Sequence, residues 1–215
     1  MKNSRTELVF ILDMSGSMSD LVSDTIGGFN SMIQKQKKEE GECLVSVVLF
    51  NQDQNVLFDR VKIEEISEMT DKHYCPSGTT ALIDALGRAI HHIGNVHKYA
   101  RQEDRPDHTV FIITTDGMEN SSRFYQADRV RSMVERQKNK YSWEFLFLGA
   151  NIDAVETARR YGIDVNKSVR YHNDAKGVAM NYRVMERAIR MVRSDMVLDS
   201  GWKEDAEDDF EKRKK

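Results

Sequence analysis

Hydrophobic and polar positions along the chain follow two rhythms. Short runs rich in β-branched and aromatic residues occupy Glu7–Asp13, Leu44–Asn51, Thr109–Thr115 and Trp143–Gly149. Their apolar residues are largely continuous rather than alternating, which marks strands covered on both faces, as in a parallel sheet. Between them lie longer segments with apolar residues at three- and four-residue spacing: Asp20–Lys38, Thr80–Tyr99, Arg123–Lys140 and Ile152–Tyr161. These predict helices. Asn55–Ile63 follows Asn51 after a three-residue polar break and predicts an antiparallel hairpin edge. Ser168–Tyr171 predicts a short sixth strand, and Asp174 to about Ser194 a last helix.

Strand–helix alternation of this kind implies right-handed crossovers and an α/β fold that is doubly wound. The expected architecture is a mostly parallel central sheet of about six strands with one antiparallel edge and helices on both faces. The sequence has no internal repeat and no low-complexity linker, so one domain is expected over residues 1–200. Residues 201–215 mix an acidic block with Lys212-Arg213-Lys214-Lys215 and read as a charged, flexible tail.

Composition narrows the classes of function. The chain has 215 residues, 40% hydrophobic and 31% charged, which suits an ordinary globular protein with a sizeable core. Its 32 basic and 35 acidic residues nearly cancel, so no bulk attraction to nucleic acid or to a membrane surface is expected. No apolar run approaches the roughly 18 residues of a membrane span, and the first residues carry no signal-peptide core. Cys43 and Cys75 are too few for a disulfide framework and read as free thiols, the first buried at a strand start. A cytoplasmic location is the resulting expectation.

Polar residues at the strand ends carry the chemistry. In such folds ligands bind at the carboxyl ends of strands, near the point where strand order reverses. The first strand ends in Asp13-Met14-Ser15-Gly16-Ser17, and a later one in Thr114-Thr115-Asp116-Gly117. A third cluster, Ser77-Gly78-Thr79-Thr80, stands just before a helix. Together they offer carboxylates and hydroxyls without His or Cys, the donor set of a hard divalent cation. Mg²⁺ suits it, with neutral hydroxyls close to the ion and carboxylates acting through water; Mn²⁺ and Ca²⁺ are the alternatives. Gly16 is expected to allow a tight loop and Gly117 a positive-φ exit from Asp116. Asp84 is expected either to orient Thr80 or to serve the dipole of its helix. Met14 and Met18 read as seals on the core rim.

Asp13-x-Ser15-x-Ser17, followed by Gly78-Thr79-Thr80-Ala81-Leu82 and by Thr115-Asp116-Gly117, resembles the metal-ion-dependent adhesion site of von Willebrand factor type A domains. The resemblance covers roughly residues 6 to 195 and implies their Rossmann-like fold. It implies a metal site made by Asp13, Ser15, Ser17, Thr80 and Asp116. Ser15 and Ser17 would bind the ion directly, Thr80 would bind in a conformation-dependent way, and the two aspartates would act largely through water. Thr79 is the alternative to Thr80. The resemblance further implies a protein partner that presents Asp or Glu to the metal, and a site able to switch as the final helix shifts. The chain is more similar to stand-alone intracellular bacterial or phage members than to adhesive ones. Members of that kind are linked with stress-response operons, chaperone-like ATPases and metal-insertion complexes, so an ATPase or stress-response complex is among the expected partners.

Enzymatic readings each lack a part. A phosphoryl-transfer aspartate needs a second Asp where Ser15 stands, a hydrolase elbow needs Gly-x-Ser-x-Gly, and a dinucleotide fold needs more than one glycine after its first strand. The expectation is a protein-binding module that is not an enzyme. The alternative is a metal-dependent hydrolase or phosphatase using the same oxygens. His91-His92 reads as a surface or partly buried pair rather than a metal site. Arg183, Arg187, Arg190 and Arg193 read as a solvated helix face rather than a phosphate stripe.

Overall fold

The computed structural model describes residues 4–150 and 153–213. The expected helix start at Ile152 and the last two residues of the tail, Lys214 and Lys215, lie outside the described residues.

Each apolar run becomes a strand: β1 (Arg5–Asp13), β2 (Glu42–Phe50), β3 (Gln54–Lys62), β4 (His108–Thr115), β5 (Glu144–Ala150) and β6 (Ser168–Tyr171). They form one sheet in the order β3-β2-β1-β4-β5-β6. All neighbours are parallel except β3, which pairs antiparallel with β2. The helices are α1 (Val22–Gln36), α2 (Leu82–Tyr99), α3 (Ala127–Tyr141), α4 (Ala154–Arg160), α5 (Ala175–Arg193) and α6 (Glu204–Lys212).

Alternate residues of each central strand enter opposite cores, which is why the runs are continuously apolar. Leu8, Phe10 and Leu12 of β1 pack beneath α1 and α5, whereas Val9 and Ile11 face α2 and α3. Phe111 of β4 is fully buried and stacks on Trp143 and Phe145 at centroid distances of 5.3 and 5.0 Å. The strand order reverses direction between β1 and β4, and the chain leaves these two strands toward opposite faces. The carboxyl ends of these two strands, where Asp13 and Asp116 sit, are therefore the edge at which sheets of this kind bind ligands.

Three local expectations are corrected. α3 begins at Ala127 rather than Arg123, because the Asp84 carboxylate holds the amides of Arg123, Phe124 and Tyr125 at 2.7, 2.9 and 2.8 Å in a non-helical loop. Arg193 does not lie on a solvated face. It is buried, and its guanidinium caps the carbonyls of Gln36, Glu39, Glu40 and Gly41 just past α1. Nor are residues 201–213 a loose tail. Trp202 is 0% exposed and donates from Nε1 to the Asn166 carbonyl at 3.0 Å. The buried Lys203 ammonium donates to the carbonyls of Val165 and Ser168 at 3.0 and 2.8 Å. Hydrocarbon stems and capped carbonyls let a segment rich in charge pack against β6 and α5.

Candidate metal centre

β1 delivers Asp13 at its last position, after which the chain turns at once into a short 3₁₀ segment, Gly16–Leu21. That turn brings Ser15 and Ser17 to the same side, with their Oγ atoms 3.1 Å apart. β4 delivers Thr115 and Asp116 beside them. Ser17 Oγ donates to Asp116 Oδ1 at 2.6 Å, and Thr115 Oγ1 donates to Asp13 Oδ2 at 2.6 Å. The Ser15 amide donates to Asp13 Oδ1 at 2.8 Å.

The loop before α2 closes the third side. Gly16 N donates to the Gly78 carbonyl at 3.1 Å, and Ser77 N to the Met14 carbonyl at 3.0 Å. Gly78 has φ +71°, the left-handed region that favours glycine, and a Cβ there would also push the Gln52 side-chain amide aside. Thr80 follows, with its amide on Asn120 Oδ1 at 3.0 Å. A Cβ built on Gly117 would lie 3.3 Å from Thr80 Oγ1 and 3.9 Å from Ser17 Oγ. Gly117 therefore makes room between these two hydroxyls. Its φ is not among the positive ones, contrary to the expectation of a left-handed exit. Thr79 is exposed, whereas Thr80 is 4% exposed.

The structure thus brings Asp13, Ser15, Ser17, Thr80 and Asp116 into one cluster. Asp84 does not join it, since its carboxylate is committed to the 123–125 amides. Two contributors had no assignment in the sequence. Thr115 orients Asp13, and Asn173, in the loop after β6, donates from Nδ2 to Asp116 Oδ2 at 3.0 Å. A hydroxyl ending an apolar strand was a signal for Thr115; nothing in the sequence pointed to Asn173.

The electrostatics are those of an anionic hole. Asp13 is 1% exposed and Asp116 3%. Burial pushes the Asp13 carboxyl above its ordinary value, the nearby Asp116 charge adds to this, and the hydrogen bonds from Thr115 and Ser15 oppose it. The hydrogen-bond donors on these two carboxylates are hydroxyls and amides, with no cation among them in the described residues. Buried charges normally pair or coordinate metal. No group of three or more His, Cys, Asp and Glu side chains suited to a metal exists among the described residues, so an ion here would rest on hydroxyls backed by two carboxylates. That donor set fits a hard divalent cation. Ser17 is exposed, which leaves the cluster open on its outer side. A cavity of about 510 Å³ lies elsewhere, between α2 and α3 at the amino ends of β4 and β5, and contains none of these residues.

No protein-family model and no curated protein matches the sequence. Solved structures do match the fold. The vWF domain of the type V pili tip protein Mfa5 from Porphyromonas gingivalis aligns with a TM-score of 0.63 and 10% identity over 89% of this chain and 97% of that one. Proximal thread matrix protein 1 from the mussel byssus, with a zinc-occupied MIDAS motif, aligns with a TM-score of 0.60 and 14% identity over 88% of this chain. This chain spans 46% of the length of the mussel one. The ArnB paralog VWA2 from Sulfolobus acidocaldarius aligns with a TM-score of 0.52 and 18% identity, over 82% of this chain and 43% of that one. The chain has the von Willebrand factor type A fold. No helix among the described residues is long and apolar enough to cross a membrane.

Proposed function

We propose that this chain is a divalent-metal-dependent protein-binding module, with Asp13, Ser15, Ser17, Thr80 and Asp116 as its metal site. One observation carries the reading: two buried carboxylates, without a cationic partner among the described residues, lie beneath two converged serine hydroxyls at the switch point of the sheet. Asp13 and Asp116 supply the charge that retains a cation. Thr115, the Ser15 amide and Asn173 hold those carboxylates in place. Ser15 and Ser17 present neutral oxygens, and Ser17 donates its proton to Asp116, so a lone pair remains for an ion. Mg²⁺ is the expected metal, with Mn²⁺ or Ca²⁺ able to substitute. A cation held by few direct charges stays electrophilic and takes a carboxylate from a protein partner presenting Asp or Glu.

The mussel protein's zinc-occupied motif supports a metal at this position of the fold. Relatives of the fold in pili and byssus support binding rather than catalysis. The exposed free thiol of Cys75 suits a reducing compartment, which supports a cytoplasmic setting. Affinity capture on the immobilised protein tests the reading, comparing Mg²⁺ with EDTA and wild type with Ser15→Ala. A partner retained only by wild type with Mg²⁺, and released when its own Asp or Glu is changed to Asn or Gln, is the expected result. Retention indifferent to both metal and Ser15 would refute it. Phosphate-ester turnover lost in Asp13→Ala would point to the hydrolase instead.

A further inference from the structure

The loop after β6 reaches back across the sheet to the metal site, and it does so through one side chain. Asn173 Nδ2 donates to Asp116 Oδ2 at 3.0 Å, while Ser17 Oγ holds the other oxygen, Oδ1, at 2.6 Å. Asp116 is therefore gripped at both oxygens, once by a residue of the site and once by a residue 57 positions further along the chain. The amide of Asn173 has only this orientation available, since turning it over would set its oxygen against the carboxylate. Its Oδ1 is buried and makes no hydrogen bond. Packing alone does not account for a half-buried amide whose oxygen is buried and idle; the side chain is placed for its donor.

The neighbours of Asn173 are tied down, and all to the same element. The His172 ring stacks on Phe210 of α6 at 4.6 Å, and its Nε2 lies 3.2 Å from the Phe210 carbonyl. Asp174 caps α5 through the Gly177 amide at 2.8 Å and pairs with Arg213 just past α6. Lys176 pairs with Asp209 of α6 at 2.5 Å, and Arg213 reaches the same carboxylate at 2.9 Å. Residues 172, 174 and 176 thus grip α6, while residue 173 between them points the other way, to Asp116. A Cβ on Gly177 would lie 1.8 Å from the His172 carbonyl, so only glycine lets the start of α5 pass this close to the loop.

We propose that Asn173 is a positioning residue of the metal site, fixing the outer oxygen of Asp116, and that the C-terminal helix α6 holds Asn173 in place. This rests on the metal reading above and extends it: metal affinity depends on a segment at the far end of the chain. With Asn173 absent, Asp116 can rotate about its remaining hydrogen bond to Ser17, and the Ser17 lone pair loses its fixed direction. Partners that orient ligands contribute about 10- to 100-fold to metal affinity, and a single neutral donor belongs at the lower end.

Mn²⁺ is the probe, titrated calorimetrically into wild type, Asn173→Ala, Arg213→Ala and the double variant. Asn173→Ala should bind Mn²⁺ about tenfold more weakly. Arg213→Ala should weaken binding by a smaller factor, and should add nothing in the Asn173→Ala background. In metal-free protein, amide hydrogen exchange over residues 116–120 should be faster in Asn173→Ala than in wild type, a change that a merely structural role elsewhere would not produce. Wild-type affinity in Asn173→Ala, with unchanged exchange, would overturn the proposal. Additive losses in the double variant would overturn the part assigned to α6. If wild type itself took up no Mn²⁺, the metal reading would fall, and the exchange measurement would still decide whether Asn173 fixes Asp116.

Discussion

Replacing Trp202 with Ala tests whether the C-terminal segment belongs to the folded body. The indole is 0% exposed within the core beneath α5, alongside Leu198 and Ala206, and its Nε1 donates to the Asn166 carbonyl at 3.0 Å. Truncating a fully buried Trp to Ala costs about 3–5 kcal/mol, from lost transfer free energy together with the cavity left behind. The orphaned Asn166 carbonyl places this site toward the upper part of that range. For a chain of 215 residues, each kcal/mol moves the melting temperature by about 2–4 °C. The expected loss is therefore roughly 6–20 °C by thermal unfolding followed by circular dichroism. Val197→Ala, five residues earlier and 83% exposed, is the control and should stay within about 0.5 kcal/mol of wild type. A Trp202→Ala melting temperature indistinguishable from that of Val197→Ala would refute the docked helix and restore a loose tail.

Other outcomes follow from particular contacts. Phe111→Ala should cost about 3–5 kcal/mol, because the ring is fully buried against both Trp143 and Phe145. Asp116→Ala should leave metal-free protein folded, since it removes one of two mutually repelling buried carboxylates; urea midpoints compare the two variants. Gly78→Ala should destabilise by about 1–2 kcal/mol from its φ of +71° alone, and should weaken Mn²⁺ binding by displacing the loop that carries Thr80. Glu7 links stability to acid. Burial opposes its charge, but hydrogen bonds from His97 at 2.6 Å and Arg60 at 2.7 Å prevail and hold its carboxyl below 4.5. A carboxyl lowered in the folded state stabilises above its unfolded pKa and loses that contribution as pH falls through the folded value. Wild-type stability should therefore drop below about pH 4.5, with a shallower drop in Glu7→Gln, read from urea midpoints across pH 3–7.

The sheet was legible because strands buried on both faces leave an unbroken apolar record. Leu8 to Leu12 and Val110 to Ile113 could hardly be anything else once helical segments separated them. The cluster of Asp13, Ser15, Ser17, Thr80 and Asp116 was legible because these residues lie at strand or helix ends in recognisable groups. What escaped is what depends on long-range contact. Asn173 meets Asp116 only through the tertiary fold, and Asp84 turned from the Thr80 side because three loop amides claimed both of its oxygens. α6 was hidden by charge: the apolar face of the helix and of the 3₁₀ turn before it is only Trp202, Ala206 and Phe210, spaced by four, among acids and lysines. That spacing was a helical signal, outweighed by composition. Arg193 and Lys203 show the same trap, since both bury their charged heads on backbone carbonyls.

Titration of Mg²⁺ and Mn²⁺ into wild type, Asp13→Ala and Ser15→Ala, by calorimetry on protein first stripped with EDTA, decides whether these residues hold a metal. The expected result is one divalent ion bound per wild-type chain, with binding lost in Asp13→Ala and strongly weakened in Ser15→Ala and circular dichroism spectra unchanged. Equal binding by all three proteins would place the ion elsewhere, and no binding by wild type would contradict the metal centre itself.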